Sequence, residues 1–120
     1  MTTPTLFIGD ITFDANDPPT QARFWAAALL YEIEESGEDL AIAIDPARTR
    51  PRLVFQKSSR TKTDKNRIHL DLFAIDKEEE VERLKVLGAL VQRQAKDGEV
   101  SWTVMTDPEG IEFCVQTRQW

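Results

Sequence analysis

The chain has one histidine, His69, and one cysteine, Cys114, among its 120 residues. His69 stands in Asn66-Arg67-Ile68-His69-Leu70-Asp71-Leu72-Phe73-Ala74-Ile75-Asp76, which alternates strictly. Ile68, Leu70 and Leu72 fall on one side of a strand; His69, Asp71 and Phe73 fall on the other. The apolar side asks for a helix against it. The other carries an imidazole and a carboxylate two residues apart, side by side and aimed into the same space. A histidine with a nearby aspartate can serve as a general base, the carboxylate fixing its tautomer and raising its basicity. A plainer reading is also open: a half-exposed antiparallel strand with both groups in solvent. The sequence contains no Ser or Cys nucleophile with an evident base partner and no Gly-rich phosphate loop.

The flanking sequence supplies elements to hold this strand. Residues 6–13 (Leu-Phe-Ile-Gly-Asp-Ile-Thr-Phe) read as a strand by β-branched and aromatic content, with Asp10 unusual in its middle. Asp17 is a good N-cap and Pro18 suits the first position of a helix to about Leu30, with Ala22, Trp25 and Leu29 on its buried stripe. Strands are expected at 31–35, 40–44 and 52–57. After the central strand, Asp76 and Glu79 form a capping box for a second helix, whose buried stripe is Val81, Leu84 and Leu87 and which Gly88 ends. Strands at 89–94, 100–106 and 111–117 complete the chain, with turns at Lys96-Asp97-Gly98 and Asp107-Pro108-Glu109-Gly110. Each half therefore reads strand, helix, strand, strand, strand. Two such units would leave one face of each curved sheet free to close around a cavity.

Between the halves, residues 58–65 form a polar loop with Lys57, Arg60, Lys62, Lys65 and Arg67 in or beside it. It reads as a solvated connector or as a rim that attracts an anionic group. A chain of this length fits one domain, and 41% hydrophobic with 30% charged residues places it among soluble globular proteins. A single cysteine excludes an internal disulfide and fits a reducing compartment. The start, Met1 to Thr5, lacks the features of a signal peptide, and no apolar run is long enough to span a membrane; a cytoplasmic protein is expected. The net charge of -6 argues against nucleic acid as a partner and would suit a cationic ligand.

The whole pattern resembles the vicinal-oxygen-chelate superfamily, the glyoxalase and bleomycin-resistance-like proteins. The match rests on Asp14-Ala15-Asn16-Asp17 entering a helix with Arg23-Phe24-Trp25, on Arg67-Ile68-His69-Leu70-Asp71-Leu72, and on the closing segment from Trp102 through Asp107-Pro108-Glu109-Gly110 to Val115. It covers nearly the whole chain and is most similar to short actinobacterial glyoxalase-like proteins. The resemblance implies an α+β fold with two βαβββ modules, about 5–57 and 66–118, forming an eight-stranded cupped mixed sheet with helices on the convex side. It also implies a homodimer and one divalent metal ion as cofactor. Its four metal-ligand positions fall on Asp10, Gln56, His69 and Cys114, and only His69 keeps the usual residue type, so an atypical or degenerate site is expected.

On this basis the ligand-binding residues are Asp10, Gln56, His69, Asp71, Phe73, Glu112 and Cys114, grouped in the cup with Ile8, Thr12, Val54 and Gln116. The expected function is binding of a small molecule there. The alternative is a divalent-metal-dependent enzyme, a lyase or dioxygenase, acting on a vicinal-oxygen substrate. Trp102 and Trp120 are candidate aromatic walls, although the alternation of Trp102 with Val100 and Val104 points it to the core or a dimer interface.

Overall fold

A computed structural model of the chain describes residues 2–117. They divide into two compact units, with the boundary between Arg60 and Thr61 inside the basic segment. The first unit holds β1 (Asp10–Ala15), α1 (Pro18–Leu29), β2 (Glu32–Ser36), β3 (Leu40–Ile44) and β4 (Arg52–Lys57). The second holds β5 (Leu70–Ala74), α2 (Lys77–Leu87), β6 (Leu90–Asp97), β7 (Val100–Thr106) and β8 (Glu112–Thr117). The fold is α+β, one βαβββ module per unit. The strands pair as two four-stranded mixed sheets, in the orders β1-β4-β3-β2 and β5-β8-β7-β6. In each sheet the first strand runs parallel to the last and the other pairs are antiparallel.

Alternation decides which face of each sheet takes the helix. In the first unit Phe13, Leu53, Phe55, Ala41 and Ala43 share the face on which α1 packs. Phe13 stacks at 5.7 Å on Trp25 of α1 and at 4.9 Å on Phe55. Trp25 and Phe55 are 1% and 0% exposed, so Trp25 is the core residue its helical spacing suggested. In the second unit Met105, Phe113 and Val115 are buried, with Val81 and Leu84 as the buried apolar residues of α2. Asp17 and Asp76 cap the helices by accepting from the amides of Thr20 and Glu79. Gly88 closes α2 at a φ of 120°, where a β-carbon would be strained.

Two boundaries differ from the sequence expectation. The first strand starts at Asp10 rather than Leu6; Leu6, Phe7 and Ile8 lie outside it, at 89%, 84% and 72% exposure, which removes Ile8 from the expected inward set. Its partner β4 sets the limit. Gly9 O accepts from the Arg52 amide, and the next amide that alternation would aim at β1, that of Arg50, donates to Asp45 instead. The central strand is also shorter, beginning at Leu70, so His69 stands one residue ahead of it. Upstream, the side-chain amide of Asn66 donates to Ile68 O and to Glu112 O, and its oxygen accepts from the Glu112 amide. These bonds take up the Glu112 backbone groups that a longer β5 would use. Trp120 lies outside the described residues.

The β3–β4 connection is built on Asp45, 7% exposed. Its carboxylate accepts from the amides of Ala47, Thr49 and Arg50 and from the Thr49 hydroxyl. The Ala47 amide foremost, joined by the others against the opposing effect of burial, holds the carboxyl below its ordinary value. A depressed carboxyl stabilises the fold above the unfolded-state pKa, and that contribution is lost as pH falls through the folded one. Asp45→Ala should therefore melt at a lower temperature than the parent at neutral pH. In thermal unfolding followed by circular dichroism, the gap should narrow as pH drops below about 4; a gap independent of pH would contradict this.

Candidate functional site

The register of the parallel β5–β8 pair builds the site. Asp71 lies opposite Cys114, with Leu70 opposite Phe113 and Leu72 opposite Val115. Cys114 in turn faces Val104 on β7, and Val104 faces Arg93 on β6. Asp71, Cys114, Val104 and Arg93 thus form one row across the sheet, on the face opposite to that of buried Phe113, Val115 and Met105. A second row beside it sets Phe73, Gln116 and Trp102 together. A cavity of about 760 Å³ opens on this face, lined by residues including Lys65, His69, Gln92, Arg93, Trp102 and Cys114.

His69 Nε2 lies 3.2 Å from Asp71 Oδ1, with both side chains about half exposed. The i, i+2 spacing does bring imidazole and carboxylate into contact. His69, Asp71 and Cys114 present an imidazole nitrogen, a carboxylate oxygen and the thiol sulfur within 4.8 Å of one another. Burial raises the Cys114 thiol above its ordinary value; the Asp71 carboxylate, which accepts its hydrogen bond, adds to the shift, while Arg93 and Lys65 oppose it. A thiol held protonated in this way is a poor nucleophile without a further cation.

Glu112 borders the cavity but is already engaged. The Lys62 ammonium sits 3.1 Å from Oε1 and 3.0 Å from Oε2. Burial on its own would raise this carboxyl, but the Lys62 hydrogen bond and neighbouring backbone donors leave it below its ordinary value. The basic segment therefore acts at the site: Lys62 neutralises Glu112, Asn66 pins the Glu112 backbone, and Lys65 lines the cavity. The lining carries Lys65 and Arg93 against Asp71 and Glu112, so this cavity is not the acidic one that the net charge suggested.

The first unit places its candidates differently. Asp10 forms a bidentate pair with Arg52 at 2.8 and 2.9 Å, and Arg52 also binds Glu34 at 3.0 Å. The Arg52 hydrogen bond, outweighing slight desolvation, lowers the Asp10 carboxyl. Gln56 donates to Asp14 at 3.0 Å. Asp10 and Gln56 lie four ladder positions apart on neighbouring strands, roughly 13 Å along the sheet, and the first unit does not bring them together. Counting from the helix caps, Asp10 corresponds to His69 and Thr12 to Asp71. Since Thr12 pairs Val54 as Asp71 pairs Cys114, the counterpart of Cys114 is Val54, whereas Gln56 corresponds to Gln116.

Of the expected ligand-binding residues, His69, Asp71, Glu112 and Cys114 line one cavity, and Phe73 does not. Trp102 lines the cavity rather than the helix-facing core, because its partner Gln116 puts it on the Cys114 face. Arg93 went unforeseen. A bulge between Val91 and Arg93 turns it to the face that plain alternation from Leu90 would deny it; a lone arginine in a polar strand gives no signal for this.

Two βαβββ modules, with a polar cavity on the open face of a sheet, define a protein of the glyoxalase and bleomycin-resistance, vicinal-oxygen-chelate type. The chain belongs to the glyoxalase-like domain family, whose model matches residues 10–116. No curated protein matches its sequence. Among solved structures it is similar to a glyoxalase/bleomycin resistance protein/dioxygenase family enzyme from Burkholderia phytofirmans, at 14% identity and TM-score 0.73, covering 91% of this chain and 96% of that one. It is similar to a lactoylglutathione lyase from Agrobacterium tumefaciens at 17% identity and TM-score 0.67, covering 96% and 95%. It is also similar to the bleomycin-binding protein of Streptomyces verticillus, solved with copper(II)-bleomycin, at 14% identity and TM-score 0.66, covering 98% and 100%. At these identities the likeness is one of fold. No helix among the described residues is long and apolar enough to cross a membrane.

Lys62→Met should shift the balance at Glu112 towards burial, with only the backbone donors left to oppose it. The Glu112 carboxyl, followed by carbon-13 NMR titration, should titrate at a higher pH than in the parent; an unchanged titration would show that Lys62 does not set it.

Proposed function

We propose that this glyoxalase-like protein binds a small organic molecule in the cavity of its second unit. The observation that carries the reading is the pairing of an apolar wall, Trp102 with Val100 and Val104, with the cations Lys65 and Arg93 in one lining. A flat apolar body stacks on the indole, and an anionic group on the same molecule meets the two cations, which suits a small aromatic or unsaturated carboxylate. Gln92 and Gln116 supply amides that can fix its orientation. The bleomycin-binding relative makes a small-molecule role a natural one for this fold. We take the protein to work as a homodimer, with neither nucleic acid nor membrane as partner.

A second reading, a divalent-metal-dependent lyase or dioxygenase acting on a vicinal-oxygen substrate, draws support from the grouping of His69, Asp71 and Cys114. The first unit weakens it in its four-ligand form. Asp10 is held by Arg52, Gln56 bonds Asp14, and Val54, the counterpart of Cys114, has no donor atom.

The test is a thermal-shift and tryptophan-fluorescence screen of chelator-treated protein against small anions, cations and neutral compounds of matched size. Planar carboxylates should raise the melting temperature and alter the emission, and Arg93→Gln should weaken them about ten-fold, the loss of one charge-assisted contact. Stabilisation by cations alone, or an Arg93→Gln protein that binds carboxylates as the parent does, would overturn the reading.

A further inference from the structure

We propose that the second unit alone forms a binding site for a thiophilic divalent ion, zinc or one of similar softness, with His69, Asp71 and Cys114 as its three protein ligands. This site shares His69 and Cys114 with the one the family resemblance implied but differs from it in its third ligand and its reach. That site draws on both halves and favours oxygen-loving ions, whereas this one uses Asp71, to which the resemblance gives no ligand role, and needs nothing from the first unit.

Three observations carry the inference. The donor atoms already lie within 4.8 Å of one another. Donors bound at about 2.0–2.3 Å to a tetrahedral zinc stand roughly 3.3–3.8 Å apart, so side-chain rotation can close the group without moving a strand. The backbone also brings the three side chains together: Asp71 and Cys114 as ladder partners, and His69, just ahead of β5, by its 3.2 Å approach to Asp71. Finally, the donor set is chemically selective. One imidazole, one carboxylate and one thiol suit zinc and its neighbours, while magnesium and manganese prefer oxygen ligands throughout.

The three ligands share the lining of the cavity, which leaves a fourth position open to solvent or to a bound molecule. Three protein ligands and one open position is the pattern of zinc sites that exchange a ligand, not of closed structural sites. An ion there would face the same space as Trp102 and Arg93. The inference rests on the cavity proposed above but not on the identity of its organic ligand.

The test titrates chelator-stripped, full-length protein with cobalt(II). One equivalent should produce a thiolate-to-cobalt charge-transfer band in the near ultraviolet. Zinc should displace the cobalt, and excess magnesium or manganese should not. Cys114→Ser should abolish the band. Asp71→Asn and His69→Ala should each weaken uptake by more than about ten-fold, since even outer-shell partners command that much. Should Cys114→Ser fail to fold by circular dichroism, His69→Ala, at a half-exposed position, carries the test with Asp71→Asn. A folded parent that shows no band would overturn the proposal, as would Asp71→Asn binding like the parent or manganese displacing cobalt equally well. None of these results touches the organic-ligand reading, which is measured on metal-free protein.

Discussion

The register of one parallel strand pair, β5 against β8, is the constraint on which the site depends. Side chains alternate with a period of two, so a slip of one residue would carry Cys114 to the helix face and bring Phe113 or Val115 out in its place. Two devices hold the register. At one end Asn66 occupies both backbone groups of Glu112. In the turn that leads into the same residue, Asp107, 2% exposed, accepts from the amides of Glu109 and Ile111, and its carbonyl takes the Gly110 amide. Gly110 adopts a φ of 86°, open to glycine at no steric cost. This turn fixes where β8 begins, and so which of its residues meets Asp71.

The two units share an architecture but not its chemistry. At matching positions the first has Asp10, Thr12 and Val54 where the second has His69, Asp71 and Cys114. Its one carboxylate among these three is tied to an arginine that also binds Glu34. An ion-pair group of this kind at the surface contributes little to stability and leaves Asp10 engaged, with Thr12 and Val54 beside it offering a hydroxyl and no donor atom. The second unit keeps an imidazole, a thiol and a carboxylate beside Lys65 and Arg93 in one lining. Here the repetition of a fold has left one copy equipped and the other quiet, which is why the functional reading rests on residues 61–117.

The elements were largely legible in the sequence because their signals are local. Asp17-Pro18 and Asp76 with Glu79 mark helix starts, and the strands 40–44, 52–57 and 100–106 fall where alternation placed them. The ends of β1 and β5 were not legible, because each depends on a side chain that takes backbone groups of the partner strand or its approach: Asp45 the Arg50 amide before β4, and Asn66 the Glu112 groups 46 residues further along the chain. At the site, the HisxAsp spacing and the face of Cys114 could be read. Trp102 could not be placed, since its alternation with valines fits a core as well as a wall until its partner strand is known. Arg93 could not be found at all, because the bulge that turns it has no mark in the sequence.

The most direct measurement is the pattern of cross-strand nuclear Overhauser contacts between β5 and β8 in solution. The account predicts backbone contacts that set Asp71 opposite Cys114 and Leu70 opposite Phe113, with no alternative register. Contacts that set Asp71 opposite Phe113 or Val115 would turn the thiol away from the imidazole and carboxylate, and the site described here would not exist.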